Sequence, residues 1–441
     1  MRSSPRTSTI VTLGLGLFAA QFAWVIYNTY VPIFLQAGSA HFAAAGAALH
    51  GFGLTATQTG LIMTFDNIAA LILEPLTGAF SDRTRTRFGR RLPFLMIGMP
   101  VAALGMALIP LALASLLPIF IVCLLLMVIA MACWRAPLFA LMADLTPSAG
   151  RSQANGVLNL MAGLGGVLAF AAGSLLYAIY RPFPFWAAML IFILACGLIL
   201  WRVREPVEPA LAHADAAPGF IQHISGWLAS LSPARRKSML FLAIAVFCYM
   251  MGFHPIEAFF SSYGVTVLKL SVANSGLVLS AAYITFILSA VPAGLFAAKI
   301  GRKRTVFLGL VLFALALLAA FFIPITAILI GLMALGGIGW ALIDINAFTM
   351  VLDAAPGADG AATGVYFIAT SLAATAGPVL NGWLIDLSGR NYSMIFLIGP
   401  AFFLLSFIFM LGVKHGEAQK MTLPPATNHT LPVIKHSLAE N

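Results

Sequence analysis

Twelve long apolar runs limit what this chain of 441 residues can fold into. Stretches such as 116–132 are apolar on every side, so alternate residues do not separate into a wet and a dry face. That excludes the period-two strands of a membrane barrel. A helix crosses the hydrocarbon core with about 20 mostly apolar residues, and in lipid it bonds every backbone group internally. The expected spans run roughly 11–35, 58–80, 93–114, 118–141, 153–178, 183–203, 238–262, 273–297, 305–323, 325–348, 361–385 and 392–413. With 9% charged residues, the chain has too little polar surface to coat soluble domains. Cys123, Cys133, Cys196 and Cys248 all lie inside apolar runs and read as reduced packing residues. The first apolar run is too long for a cleaved signal peptide.

The basic residues are placed unevenly. If the N-terminus is cytosolic, 20 of the 24 Lys and Arg fall in cytosolic segments. Only Arg181, Lys269 and Arg390 fall outside, and Arg135 lies within a span. The positive-inside bias predicts cytosolic N- and C-termini in an inner (plasma) membrane. The net charge of +10 is then a topology signal and an attraction to lipid headgroups, so no nucleic-acid partner is expected.

The spans divide six and six. A bundle at 1–205 and a second at 238–413 flank a cytosolic linker at 206–237, and a mobile tail is expected at 414–441. In the linker, Phe220, Ile224, Trp227, Leu228 and Leu231 fall at helical spacing and predict an amphipathic helix on the membrane surface. Loop patterns recur between the halves. Gly78-Ala79-Phe80-Ser81-Asp82-Arg83 running to Gly89-Arg90-Arg91 is echoed by Gly294 to Arg304. Asp144-Leu145-Thr146-Pro147 is echoed by Asp353-Ala354-Ala355-Pro356. The pairs Gly89/Gly301 and Asp144/Asp353 lie 212 and 209 residues apart, which points to a duplicated six-helix unit. Parallel repeats of this kind place a substrate site between the halves at mid-membrane.

These features resemble the major facilitator superfamily. The stretch Glu74-Pro75-Leu76-Thr77-Gly78 leading into 81–93, and Ala140 to Leu145 with Arg151 and Asn155 following, are similar to the sucrose and disaccharide carriers. Those carriers group with the glycoside-pentoside-hexuronide:cation symporters. The resemblance implies an all-α integral membrane fold of two pseudo-symmetric bundles, with spans 1, 4, 7 and 10 lining a central cavity. It also implies that Gly78, Asp82, Arg83, Gly89, Arg90, Arg91, Asp144 and Arg151 serve cytosolic gating. The second copy departs from the pattern, with Ala298 at the position of Asp82, so a weaker C-terminal clamp is expected.

Ionisable residues inside spans cost at least about 2.5–3.5 kcal/mol each on insertion scales and are functional candidates. Span 2 carries Asp66, Asn67 and Glu74. The two acids lie about 12 Å apart along a helix and about 80° around it, so both can face one cavity. Either could carry a coupling proton, or Glu74 could pair with a cation to lock the first bundle. Arg135 on span 4 should lie at the depth of Glu74 and pair with Glu74 or Asp66. Asp344 sits nine residues before Asp353, as Arg135 sits nine before Asp144. Asp344 is thus the pseudo-symmetric counterpart of Arg135. It bridges to Arg135 across the inner mouth or bonds within its own half. His254 and Glu257 flank Pro255, which is expected to break span 7. That pair suits proton or substrate contact, or an interhelical bond, and two ligands are too few for a metal.

On span 1, Gln21, Trp24 and Asn28 share one face and offer amides and an aromatic surface, as a sugar requires. Asn67, Asn155, Asn159, His254, Trp340, Asp344, Tyr366 and Asn381 could complete the set. The alternative is that each single amide only bonds a neighbouring helix and that Tyr27 and Tyr30 are outer-interface anchors. The glycines at 163, 165, 166, 336, 337 and 339 read as packing sites. There is no Gly-x-x-x-x-Gly-Lys-Ser/Thr loop, His-Glu-x-x-His or Gly-x-Ser-x-Gly pattern, so no enzyme is expected. The expectation is a monomeric, cofactor-free and metal-free carrier taking up a small sugar or glycoside with H+, Na+ remaining open. The alternatives are a proton-coupled efflux antiporter and a non-transporting sugar sensor.

Overall fold

The computed structural model describes residues 7–39, 42, 50–146, 151–205, 226–354 and 359–417. Among them are 12 helices long and apolar enough to cross a membrane. They are α1 (Ser8–Gln36), α2 (Ala56–Arg83), α3 (Leu92–Ala112), α4 (Leu117–Leu145), α5 (Gln153–Ile179) and α6 (Phe183–Arg202). The second set is α7 (Pro233–Thr266), α8 (Leu277–Ile300), α9 (Arg302–Phe322), α10 (Thr326–Ala354), α11 (Ala361–Leu387) and α12 (Tyr392–Leu411). Large apolar side chains such as Leu175, Leu288, Val291 and Phe322 point outward, as a lipid-facing surface requires. The repeat is visible in the packing of each half: α1 lies on α5 and α6, and α3 on α4, as α7 lies on α11 and α12, and α9 on α10.

Glycines set the closest approaches. A Cβ on Gly165 would stand 2.3 Å from the Phe18 carbonyl oxygen, and one on Gly337 would stand 2.1 Å from that of Ala282. Between lipid-bathed helices, such close backbone contact replaces the missing hydrophobic drive.

Two expectations are corrected. Pro255 does not break its helix: α7 is continuous through it. Membrane helices tolerate proline where neighbours compensate the lost bond, and Gly377 of α11 leaves room for the ring. Tyr27 and Tyr30 are not interface anchors; both are buried, and Tyr30 stacks on Tyr177 with ring centroids 4.5 Å apart. Of the linker pattern, Trp227, Leu228 and Leu231 lie with partly buried side chains against the bundle. Phe220 and Ile224 of the same pattern, residues 206–225 of the linker and 418–441 of the tail lie outside the described residues.

The halves meet away from the basic loops. At the end opposite Arg83–Arg91, Asp386 of α11 accepts hydrogen bonds from the Ala56 and Thr57 amides at 3.1 and 2.8 Å and from the Thr57 hydroxyl. Tyr392 donates to Gln36 at 2.9 Å, and Ser174 donates to Asn274 at 3.0 Å. Gly60 and Gly382 let α2 and α11 touch backbone to backbone. Among the described residues, no hydrogen bond or ion pair joins the halves at the basic end. Among the described residues the halves are therefore bonded to each other at the end away from the basic loops.

Candidate functional site

The site begins at a discontinuity. α2 is interrupted at Thr64, whose hydroxyl bonds the Leu61 carbonyl at 2.7 Å. The break opens a fresh helix start at mid-membrane, and Asp66 sits in its first turn. Asp66 accepts from the Asn67 backbone and side-chain amides, both at 2.7 Å. The Asn67 side chain also reaches the Ala374 carbonyl of the other half at 3.5 Å.

A cavity of about 230 Å³ lies there. From the first half it is lined by Gln21, Trp24, Asn28, Asp66, Asn67 and Arg135, and from the second by His254 and Glu257. The predicted face of the first span therefore does look into the cavity. Among the described residues, Asp66 has no Lys, Arg or His nitrogen within 4.0 Å. Glu74 is held by Arg135 at 3.1 Å, so of the two partners expected for Arg135, Glu74 is the one observed. His254 meets Glu257 at 3.3 Å one turn away, and Glu257 also accepts from the Tyr283 hydroxyl.

A larger side chamber of about 550 Å³ adjoins it and shares Gln21 and Glu257 with it. Its lining includes Asn159, Tyr283, Trp340 and Asp344. Trp340 is stacked by Phe253 with centroids 3.8 Å apart and met edge-on by Tyr249. Asp344 accepts from Tyr366 at 3.0 Å, and Tyr366 lies 3.4 Å from Tyr249. Asp344 thus bonds within its own half, and among the described residues no ion pair joins it to Arg135. Asn381 lines neither cavity; it is buried and donates to the Gly377 carbonyl at 3.1 Å. Asn155 and Asn159 are exposed on α5, and of the two only Asn159 reaches a cavity lining.

At the basic end, Arg91 joins Asp82, Ser81 and Asp144 and donates to the Gly78 carbonyl. Arg90 pairs with Asp144 at 2.8 Å. Arg83 is exposed, and the Arg151 side chain lies outside the described residues. A residue that sequence reasoning missed completes this knot. Glu205, 3% exposed, accepts from the Arg91 and Leu92 amides at 2.8 and 3.1 Å. It caps the first turn of α3, where a carboxylate meets unpaired N–H groups and the positive end of the helix dipole. Gly89 lets the loop pass: its φ is +109° and a Cβ there would strike Glu205. The second half repeats the device. Glu417 accepts from the Arg302 and Lys303 amides at 2.9 Å each, Gly301 has φ +94°, and Arg302 pairs with Asp353. Glu205 and Glu417 lie 212 residues apart, the offset of Gly89 and Gly301, and that spacing is the signal that could have found them. Ala298 stands where Asp82 would complete the second knot. Lys303 instead donates to the Val413 and Leu411 carbonyls at 2.7 and 3.1 Å.

Two six-helix halves around a polar cavity at mid-membrane, closed at one end, define a membrane transporter. The chain belongs to the Major Facilitator Superfamily, which it matches over residues 13–280 and again over 242–436. It is similar to the Hexuronate transporter of Bacillus subtilis (strain 168), 27% identical over 379 residues, 78% of this chain and 83% of that protein. It is also similar to Proton-associated sugar transporter A of Homo sapiens, 33% identical over 97 residues, 22% of this chain. That match spans only 11% of the human protein's length. Sucrose transport protein SUC3 of Arabidopsis thaliana is 24% identical over 195 residues, 39% of this chain and 30% of that protein. Among solved structures, the nucleoside transporter NupG aligns with a TM-score of 0.70 at 14% identity, covering 92% of this chain and all (100%) of that one. A bacterial homolog to the human lysosomal transporter Spinster, inward-facing and occupied, aligns with the same score at 13% identity, over 92% and 96% of the chains. These likenesses show the fold.

Proposed function

We propose that the protein takes up a small sugar or glycoside together with a proton, by alternating access. The observation that carries this reading is the 230 Å³ cavity, where the Asp66 carboxyl, with no cationic nitrogen within 4.0 Å among the described residues, shares the lining with an amide–tryptophan–amide face. Burying an unpaired carboxylate is costly, and a proton removes the charge. Asp66 is thus the coupling group, loaded from one side of the membrane and emptied on the other. Glu74 and Arg135 form the adjacent switch: Arg135 is held while Glu74 is ionised and is freed for a sugar oxygen when Glu74 is protonated. Gln21 and Asn28 bond hydroxyls and Trp24 covers the C–H face of the ring. The basic end faces the cytosol by the positive-inside rule, so both termini are cytosolic and the end where Asp386 joins the halves faces outward. The carrier works as a monomer in the plasma membrane, and H+ is its coupling ion. The relatives named for sugar and hexuronate transport support the substrate class.

Purified protein in vesicles should accumulate the sugar under an inward proton gradient, and adding sugar should alkalinise a weakly buffered medium. Asp66→Asn should abolish accumulation while leaving sugar exchange at equal concentrations. Uphill accumulation by that variant overturns the reading. The apolar side chamber favours a second reading, proton-driven efflux of an apolar compound. In vesicles of the same orientation, that compound would drive the proton flux the other way.

A further inference from the structure

We infer that the substrate is a glycoside carrying an apolar aglycone, the sugar ring in the polar cavity and the aglycone in the side chamber. The inference rests on the uptake reading above and names the substrate more closely.

The argument is one of matching groups. The polar cavity, about 230 Å³, is sized for one sugar ring and holds most of the amides and charges. The adjoining chamber is more than twice as large, about 550 Å³, and the two share Gln21 and Glu257 in their walls. Its walls are Phe253, Phe286, Ile287, Phe313, Trp340 and the ring of Tyr283. The hydrogen-bonding groups that could serve a second sugar are few, and several are partly engaged. The Tyr283 hydroxyl is bound to Glu257, and Asp344 holds Tyr366. Asn159 side-chain nitrogen is spent on the Asn155 carbonyl at 2.9 Å. A second pyranose would bring several hydroxyls into this space and leave them unpaired, at about 1–3 kcal/mol for each buried group. An aromatic ring there loses nothing and gains the burial of its whole surface, against the flat face that Phe253 and Trp340 make by stacking. The chamber also reaches the lipid-facing side between α5 and α8, where Leu160 and Val291 are exposed. An apolar aglycone is at home there.

The test uses the full-length protein in vesicles, with matched methyl and phenyl glycosides of glucose and of galactose, and with sucrose and melibiose as disaccharide probes. For the sugar that is carried, the phenyl glycoside should half-saturate at about 10- to 100-fold lower concentration than the methyl glycoside. Both disaccharides should be poorer than the phenyl glycoside. Ala290→Phe, which fills the chamber from α8, should bring the methyl-to-phenyl ratio toward one. Equal half-saturation by methyl and phenyl glycosides in the wild-type protein, or a disaccharide that binds more tightly than the phenyl glycoside, overturns the inference and leaves the uptake reading standing. Uptake of no glycoside at all overturns the uptake reading and this inference with it.

Discussion

At the scale of single residues, the two acids of α2 have separated into different roles. Glu74 has Arg135 at 3.1 Å, and Asp66 has only amides. Their substitutions should therefore differ in kind. Asp66→Asn keeps the shape of the site and removes the titrating group, so coupling is lost and exchange survives. Glu74→Gln leaves Arg135 without its carboxylate inside the membrane. It should lower the thermal unfolding temperature in detergent and cut exchange as well as accumulation, because the switch is broken. A Glu74→Gln protein as stable and as fast in exchange as the wild type would show the pair to be idle. Gly89 allows a sharper test. At φ +109° any side chain is strained, and a Cβ would collide with Glu205. Gly89→Ala should destabilise the protein by about 1–2 kcal/mol from the backbone term alone, read from unfolding in denaturant.

At the scale of elements, the spans were legible because length and apolarity alone decide what can cross a bilayer. The end of α7 at Thr266 rather than near 262, and its course through Pro255, were not legible, because neighbouring helices set what a proline does. The cavity face of α1 was readable from the spacing of Gln21, Trp24 and Asn28. The partners of Glu257 and Asp344 were not, since Tyr283 and Tyr366 come from other helices and a tyrosine in an apolar run looks like packing. Glu205 was missed for the same reason: a carboxylate just past a span looks like a solvated loop charge until the chain returns it to the start of α3. Glu205→Ala should cost about 0.5–2 kcal/mol of stability through the lost cap. Glu417→Ala should cost less, because that carboxylate is exposed and solvent screens it. Equal losses in the two unfolding curves would mean that burial does not govern the caps.

At the scale of the whole molecule, closure depends on a small seam. Asp386 collects three donors from the start of α2, and glycines bring the two backbones together there. Weakening that seam should shift the population toward the opposite opening. In a background with the four native cysteines replaced, a cysteine at Asn28 should react faster with a membrane-impermeant thiol reagent added outside once Asp386→Asn is present. No change in rate would mean that the seam is not what holds that end shut. The paired caps have a practical bearing on the ends of the chain. Glu417 grips α9 from the last described residue before the tail, so shortening the protein after 417 spares the grip and shortening it at 416 removes it. Neighbouring endpoints one residue apart should then differ in shelf life after purification, and an affinity handle belongs beyond that boundary.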